Sequence, residues 1–113
     1  MWQLNVAVLS GSSTIFEHMP DLLSDIAIHR GLASLPGWSR KGDTITKTYQ
    51  FKTFPAAISF VDRVAEAAET ADHHPDIDIR YTKVMCTLST HDAGGVTQND
   101  LELAAEIDFA EQG

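Results

Sequence analysis

The sequence predicts a single domain of the α+β class, and two observations support this prediction. Periodic segments follow one another in the order helix, hairpin, helix, hairpin, helix, without the alternation of single strands and helices that is typical of parallel dinucleotide-binding folds. The chain has 113 residues, 43% hydrophobic and 21% charged, an ordinary size and composition for one globular domain. We therefore expect one hydrophobic core, so that a binding site must be a surface cleft or an oligomer interface.

The N-terminal segment, residues 1–20, is predicted to be an extension of a domain that spans residues 21–113. Apolar and polar residues largely alternate from Trp2 to Val8, and Gly11-Ser12-Ser13 interrupts the alternation. The segment is either an extra edge strand or a loosely ordered extension, and the sequence leaves both interpretations open.

The first helix is predicted to begin after Pro20, with Asp21 as its N-terminal cap. Apolar residues then recur at roughly helical spacing: Leu22, Leu23, Ile26 and Ile28 or Leu32. Pro36-Gly37 forces a turn that separates this helix from the first hairpin.

The first hairpin is predicted from strands at residues 38–40 and 44–51, joined by a loop that contains Gly42. On the second strand Lys47 interrupts a side that is otherwise apolar, and the opposite side carries threonine and glutamine. The apolar residues of that strand are Ile45, Tyr49 and Phe51. One face of the sheet is therefore covered by protein, and the other is polar or partnered.

The second helix has the most regular pattern in the chain. Thr53 is predicted to cap it, and Pro55 is tolerated in its first turn. Small and apolar residues fall on one stripe at helical spacing: Ala57, Phe60, Val61, Val64, Ala65, Ala68 and Ala71. Pro75 disfavours the helical conformation for the residue before it, so the helix should end at about Asp72 or His73.

The second hairpin is predicted from alternating strands at residues 77–81 and 84–89, with Thr82-Lys83 between them. Thr97 then caps a last helix, with Asp100 in the position of its capping-box partner. The inner face of this helix is predicted from Leu101, Ala104, Ala105 and Ile107 or Asp108.

Charge and cysteine content narrow the classes of function. Eight Lys and Arg against sixteen Asp and Glu give a net charge of -8, which argues against nucleic-acid binding through a basic face. The single cysteine, Cys86, cannot form an internal disulfide and falls in an apolar run, so we expect it to be a packing residue in a reducing compartment. The sequence has no recognisable targeting signal and no apolar run near the ~20 residues that span a bilayer, so cytoplasmic location is expected.

Three of the five histidines lie in two short segments at the ends of periodic runs. His73 and His74 follow the second helix, and His91 follows the last strand, with carboxylates beside both segments. Imidazole has an unperturbed pKa of ~6.5, so it can both give and take a proton near neutrality. The composition of the two segments is therefore that expected for general acid and base catalysis.

Spacing alone leaves other interpretations of these residues open. The histidine pair before proline could be a polar helix stop and His91 a loop residue, because local sequence does not show that the segments meet. Three histidines with a carboxylate could also bind a metal ion, although adjacent histidines tend to point in different directions. A triad of Ser89, His91 and Asp92 is less favoured, because near neighbours in sequence rarely orient a base between two partners.

Several short motifs occur together in a fixed order: Phe51-Lys52-Thr53-Phe54, Asp72-His73-His74-Pro75, Thr87-Leu88-Ser89-Thr90-His91-Asp92, Gly95-Val96-Thr97 and Asp100-Leu101. In order and spacing they resemble the pterin-4a-carbinolamine dehydratase family, from about Leu22 to Phe109. Residues 1–20 have no counterpart in this resemblance, and Ile77 stands where relatives often have an aromatic residue.

The resemblance implies a four-stranded antiparallel sheet with helices packed on one face. It implies an enzyme that removes water from 4a-hydroxytetrahydrobiopterin to give quinonoid dihydrobiopterin, in the recycling of the cofactor of aromatic amino acid hydroxylases. No metal or redox cofactor is implied. The expected partners are the pterin substrate and further copies of the chain, as a homodimer or homotetramer. Some relatives also stabilise a dimeric transcription factor, so a protein-interaction module is the alternative function.

The resemblance also implies roles for individual residues. His73, His74 and His91 match the three active-site histidines of the family, with the first two expected to act as acid and base in an order that the sequence leaves open. The residues implied to contact or border the substrate are Glu69, Asp72, Pro75, Ser89, Thr90 and Asp100.

Overall fold

A computed structural model describes residues 21–113, so the predictions for residues 1–20 lie outside the described residues. The elements are α1 (Asp25–Leu32), β1 (Ser39–Lys41), β2 (Thr44–Gln50), α2 (Phe54–Ala71), β3 (Asp76–Arg80), β4 (Lys83–Leu88), a 3₁₀ helix (His91–Ala93) and α3 (Gln98–Glu111). In this part of the chain, no helix combines the length and apolarity needed to cross a membrane.

The four strands form one antiparallel sheet in the order β1-β2-β4-β3, which confirms the predicted fold class. The central strands β2 and β4 pair Ile45 with Leu88 and Tyr49 with Val84, and all four side chains are buried. On the other face Thr46 lies opposite Thr87, and their hydroxyl oxygens are 3.2 Å apart. The sheet therefore has the predicted apolar and polar faces.

The core lies between the apolar face of the sheet and the helices. Phe60 of α2 has no exposed surface, and its ring centroid lies 4.7 Å from that of Tyr49 and 5.0 Å from that of Phe51. The predicted stripe of α2 is confirmed at its centre, with these residues buried: Ala57, Phe60, Val64 and Ala68. Ala65 and Ala71, predicted on the same stripe, are exposed.

The predicted cap of α1 is wrong. Ser24 caps this helix, and its hydroxyl oxygen accepts the backbone N–H of Ala27 at 3.1 Å. The chain before it cannot be helical, because Leu22 forms an antiparallel bridge with Thr97 and the N–H of Leu23 donates to the carbonyl of Val96 at 2.9 Å. This pairing holds the start of the domain against the segment that leads into α3.

The buried face of α3 also differs from the prediction. Leu103 is buried and Ala105 is exposed. Several elements surround this helix: Leu101 packs close to Gly31 of α1, and Leu103 lines a cleft beside α2. Apolar positions are therefore spread around α3 instead of lying on one stripe.

Lys47, the exception on the apolar side of β2, is paired. Its Nζ donates to Asp108 Oδ1 of α3 at 2.8 Å and to the carbonyl of Pro36 at 3.0 Å. Asp108 Oδ1 also accepts from the Tyr49 hydroxyl at 2.5 Å and from Trp38 Nε1 at 3.1 Å. Burial, and then the hydrogen bond to Asp108, raise the pKa of Tyr49, so the phenol remains a donor. An inward lysine is tolerated because a carboxylate and a carbonyl satisfy it.

The turn of the second hairpin lies one residue earlier than predicted. β3 ends at Arg80 and β4 begins at Lys83, so Tyr81-Thr82 forms the turn. Tyr81 adopts a left-handed backbone conformation with φ of 55°, which only a minority of non-glycine residues do. The N–H of Phe51 donates to the carbonyl of Thr82 at 2.8 Å and ties this turn to the end of the first hairpin.

Cys86 is expected to resist alkylation in the folded protein. It lies fully buried in β4, as predicted for a packing residue, and burial followed by the charge of Asp108 raises its pKa to about 12. At pH 8 the folded protein therefore holds the unreactive thiol. Mass spectrometry after iodoacetamide treatment should find no adduct on folded protein and one adduct after denaturation. Equal labelling rates in both states would contradict the burial of this side chain.

Candidate active site

The end of α2 sets the direction of the first histidine segment. Asp72 has a left-handed conformation with φ of 52°, and its N–H donates to the carbonyl of Glu69 at 3.2 Å. The N–H of His73 reaches back to the carbonyl of Ala68 at 3.1 Å. These two bonds form a Schellman motif, with aspartate in the position that glycine usually occupies. The helix therefore ends close to the predicted residue, and the chain turns sharply before His73.

The ring of His73 contacts a buried carboxylate of α3. His73 Nε2 lies 2.5 Å from Asp100 Oδ1, and the side chains are 14% and 0% exposed. A carboxylate accepts hydrogen bonds, so this geometry assigns the hydrogen to Nε2. Nδ1 is then the ring nitrogen outside this contact, and it can accept a proton or, in the imidazolium form, donate one.

The other oxygen of Asp100 joins the second histidine segment. Asp100 Oδ2 accepts the backbone N–H of Thr97 at 2.9 Å and the Thr90 hydroxyl at 2.8 Å. Thr97 and Asp100 form the predicted capping box of α3. The segments that contain His73 and His91 therefore meet, with Asp100 between them.

His74 is held by a second carboxylate on the exposed side of the helix end. His74 Nε2 lies 2.5 Å from Glu69 Oε2, and the two side chains are 58% and 77% exposed. Glu69 fixes one ring nitrogen of His74, as Asp100 does for His73. The exposed pair is worth little as a stabilising interaction, because solvent screens it and both side chains lose freedom.

His91 is exposed at the first residue of the 3₁₀ helix and directly follows the buried Thr90. The backbone of Thr90 pairs with Gly95 across the turn, with the Thr90 N–H 2.8 Å from the Gly95 carbonyl. This pairing fixes the point from which His91 leaves β4. Three further residues were expected to border the substrate. Asp72 is exposed, and Pro75 and Ser89 are half-buried.

A cleft of about 840 Å³ runs between α2 and α3 and begins at His73. The exposed ring of Phe109 lies towards its other end, and its rim carries Glu66, Glu102 and Glu106. Of the three predicted histidines, only His73 lines it. Within residues 21–113 no three His, Cys, Asp or Glu side chains converge as a metal-binding group.

The family model for pterin 4 alpha carbinolamine dehydratase matches residues 21–110. The chain belongs to this family. A protein of Nocardia farcinica that bears the name of this dehydratase is 60% identical over 88 residues. The matched segment covers 78% of this chain and 93% of that protein. A protein of Roseiflexus castenholzii with the same name is 57% identical over 90 residues, covering 80% of this chain and 97% of that protein.

Solved structures of proteins related to the carbinolamine dehydratases have the same fold. A crystal structure of a transcriptional coactivator/pterin dehydratase from Brucella melitensis matches with a TM-score of 0.78 and 32% identity, covering 80% of this chain and 99% of that chain. A pterin dehydratase-like RuBisCO assembly factor of the alpha-carboxysome matches with a TM-score of 0.56 and 23% identity, over 66% of this chain and 86% of that chain. The second likeness shows the fold alone.

The contribution of Thr97 to the candidate site of this dehydratase family member was not predicted from the sequence. Thr97 is fully buried, and its hydroxyl oxygen lies 2.7 Å from that of Thr90. Its position as a helix cap was readable from the sequence. Its contact with the segment before His91 was not, because that contact depends on how the chain folds back from β4 into α3.

Proposed function

We propose that the protein is a 4a-hydroxytetrahydrobiopterin dehydratase, a carbon–oxygen lyase. The proposal is supported by its membership of the dehydratase family and by one observation above all, the contact of His73 with Asp100. That contact joins two segments that each supply histidine, and it leaves a ring nitrogen of His73 for proton transfer. Product release would return a pterin that a separate reductase can recycle, so the proposed role is tetrahydrobiopterin recycling.

The proposed reaction is an elimination of water across one carbon–nitrogen bond. A protonated imidazole donates its proton to the 4a-hydroxyl while the C4a–O bond breaks, and the bonding electrons leave with oxygen as water. A basic group removes the proton from N5, and the electron pair of that N–H bond completes a C4a–N5 double bond. The products are quinonoid dihydrobiopterin and water. The elimination involves no net oxidation or reduction, so it requires no redox cofactor. Proton donation assists the departure of the 4a-hydroxyl, a task that a metal ion would otherwise perform.

In this proposal the three histidines act at the end of α2 and the end of β4. His73 and His74 exchange protons with the substrate through the ring nitrogens that their carboxylates do not contact. His91, exposed at the start of the 3₁₀ helix, binds the pterin and polarises it. The order of acid and base between the first two residues is a matter for experiment.

Dehydration of 4a-hydroxytetrahydropterin by the purified protein tests this function. The substrate is generated in situ by an aromatic amino acid hydroxylase, and the appearance of the quinonoid product is followed by absorbance. We expect a rate well above that of buffer, and an unchanged rate for His29→Ala, which removes an exposed histidine of α1. A wild-type rate equal to that of buffer would overturn the proposed function.

A protein-interaction role is the second candidate, because the Brucella melitensis relative is named both coactivator and dehydratase. Phe109 is 70% exposed beside the cleft between α2 and α3, an apolar residue that a partner would cover. We further propose a cytoplasmic homodimer or homotetramer, with the polar sheet face of Thr46 and Thr48 as a contact. Light scattering of purified protein would measure the oligomeric state.

A further inference from the structure

The side chain of Thr90 is enclosed by polar partners within the domain. Thr90 is 7% exposed, and its Oγ1 lies 2.8 Å from Asp100 Oδ2 and 2.7 Å from Thr97 Oγ1. Its backbone is paired with Gly95 through N–H to carbonyl bonds in both directions, of 2.8 and 3.3 Å. The hydroxyl therefore has a fixed position and two partners.

The direction of the hydrogen bonds follows from the chemistry of the partners. A carboxylate only accepts, so the Thr90 hydroxyl donates to Asp100. Thr90 Oγ1 then accepts from the Thr97 hydroxyl, which leaves Thr90 without a hydrogen to offer a pterin. The hydrogen of the Thr90 hydroxyl is therefore used within the domain, on Asp100.

The two carboxylate oxygens of Asp100 accept different numbers of hydrogen bonds. Oδ2 accepts the Thr90 hydroxyl and the Thr97 N–H, and Oδ1 accepts from His73 Nε2. Two donors on Oδ2, from different segments of the chain, fix the rotation of the carboxylate about its terminal bond. Without Thr90 one of them is lost, and the carboxylate can turn so that Oδ1 no longer faces the imidazole.

We propose that Thr90 is a positioning residue for the dehydration, acting through Asp100 to hold His73 as the Nε2–H tautomer with Nδ1 directed to the substrate. Only the predicted effect on kinetics rests on the proposed function. The tautomer and orientation of His73 are properties of the free protein. They can be measured whether or not the protein is a dehydratase.

Thr90→Val removes the hydroxyl and keeps the shape of the side chain, and Thr90→Ser keeps the hydroxyl. We expect Thr90→Val to lower kcat about 10- to 100-fold, with KM little changed, by analogy with the loss of residues that orient metal-bound histidines through a hydrogen bond. Thr90→Ser should retain most of the wild-type kcat. Thr82→Val is the matched control, because it removes a half-buried threonine hydroxyl at the opposite end of β4 from Thr90, where it accepts from Gln50 Nε2 at 2.7 Å.

Nitrogen chemical shifts of the His73 ring provide the second measurement, on free protein. We expect the Nε2–H tautomer to dominate in wild type, Thr90→Ser and Thr82→Val, and a mixture of tautomers in Thr90→Val. A wild-type ring with its hydrogen on Nδ1 would overturn the proposal without any variant. So would a Thr90→Val protein with an unchanged tautomer and kcat, or one in which only KM rises, which would make Thr90 a substrate contact.

Failure of the proposed function gives a different pattern. Wild-type protein would then not accelerate dehydration, while the ring shifts would still report whether Thr90 fixes His73. If Thr90→Val does not fold, Thr90→Ala takes its place, and circular dichroism checks the fold of each variant before kinetics.

Discussion

Replacing His73 with alanine should lower kcat for the dehydration about 10²- to 10⁴-fold, the range associated with loss of a general acid or base. The ring lies at the end of α2 with Nε2 bound to Asp100, so it is the histidine whose orientation the structure fixes most firmly. Steady-state kinetics on purified variants will measure the effect. Because the imidazole acts in the transition state, most of the loss should appear in kcat and little in KM.

Two further variants distinguish catalysis from stability in this experiment. His73→Ala leaves the buried Asp100 Oδ1 without its donor, which costs about 1–3 kcal/mol of stability. His73→Gln can still donate to Asp100, so it should be more stable than the alanine variant and equally inactive. His29→Ala, on the exposed side of α1, should match wild type in both respects. A glutamine variant with more than about a tenth of wild-type kcat would be at odds with proton transfer by His73.

Replacing Phe60 with alanine should lower the free energy of unfolding by about 3–5 kcal/mol. The ring is fully buried between the sheet and α2, in contact with Tyr49 and Phe51, and its removal leaves a cavity that these neighbours cannot fill. Small domains have a total stability of only about 5–15 kcal/mol, so this change removes a large part of it. Urea unfolding followed by circular dichroism will measure the difference.

Phe54 offers a matched control on the same helix. Its side chain is 53% exposed in the first turn of α2, so Phe54→Ala should cost less than about 1 kcal/mol. The same residue type is removed from the same element in both variants, and only the burial differs. Similar losses for the two would mean that the core of the domain does not lie where the structure has it.

The elements with strong local signals were predicted well from the sequence. α2 is the best example, because Thr53 caps it with a hydroxyl 3.1 Å from the N–H of Ala56 and it ends at Ala71, close to the end that Pro75 predicts. α1 was misplaced at its start because Leu22 and Leu23 pair with residues near Thr97, more than seventy positions away. A local pattern contains no information about such a partner.

Long-range pairing also explains what the sequence left open about the site. Lys47 appeared as an exception on an apolar side, and its partner Asp108 lies 61 residues later. The two histidine segments could be recognised from composition and from family resemblance. Their junction at Asp100 could not be predicted. The resemblance implied that Asp100 borders the substrate, but its contacts with His73 and Thr90 depend on how the chain folds.

The shared carboxylate of Asp100 ties local opening of the chain to loss of catalytic geometry. Its Oδ2 holds the first turn of α3 through Thr97, and its Oδ1 holds the imidazole. When this turn opens, the ring of His73 loses its anchor in the same event. The fraction of molecules in which His73 is oriented therefore cannot exceed the fraction in which the first turn of α3 is closed. During heating or addition of denaturant, the orientation of His73 should therefore be lost no later than the opening of this turn.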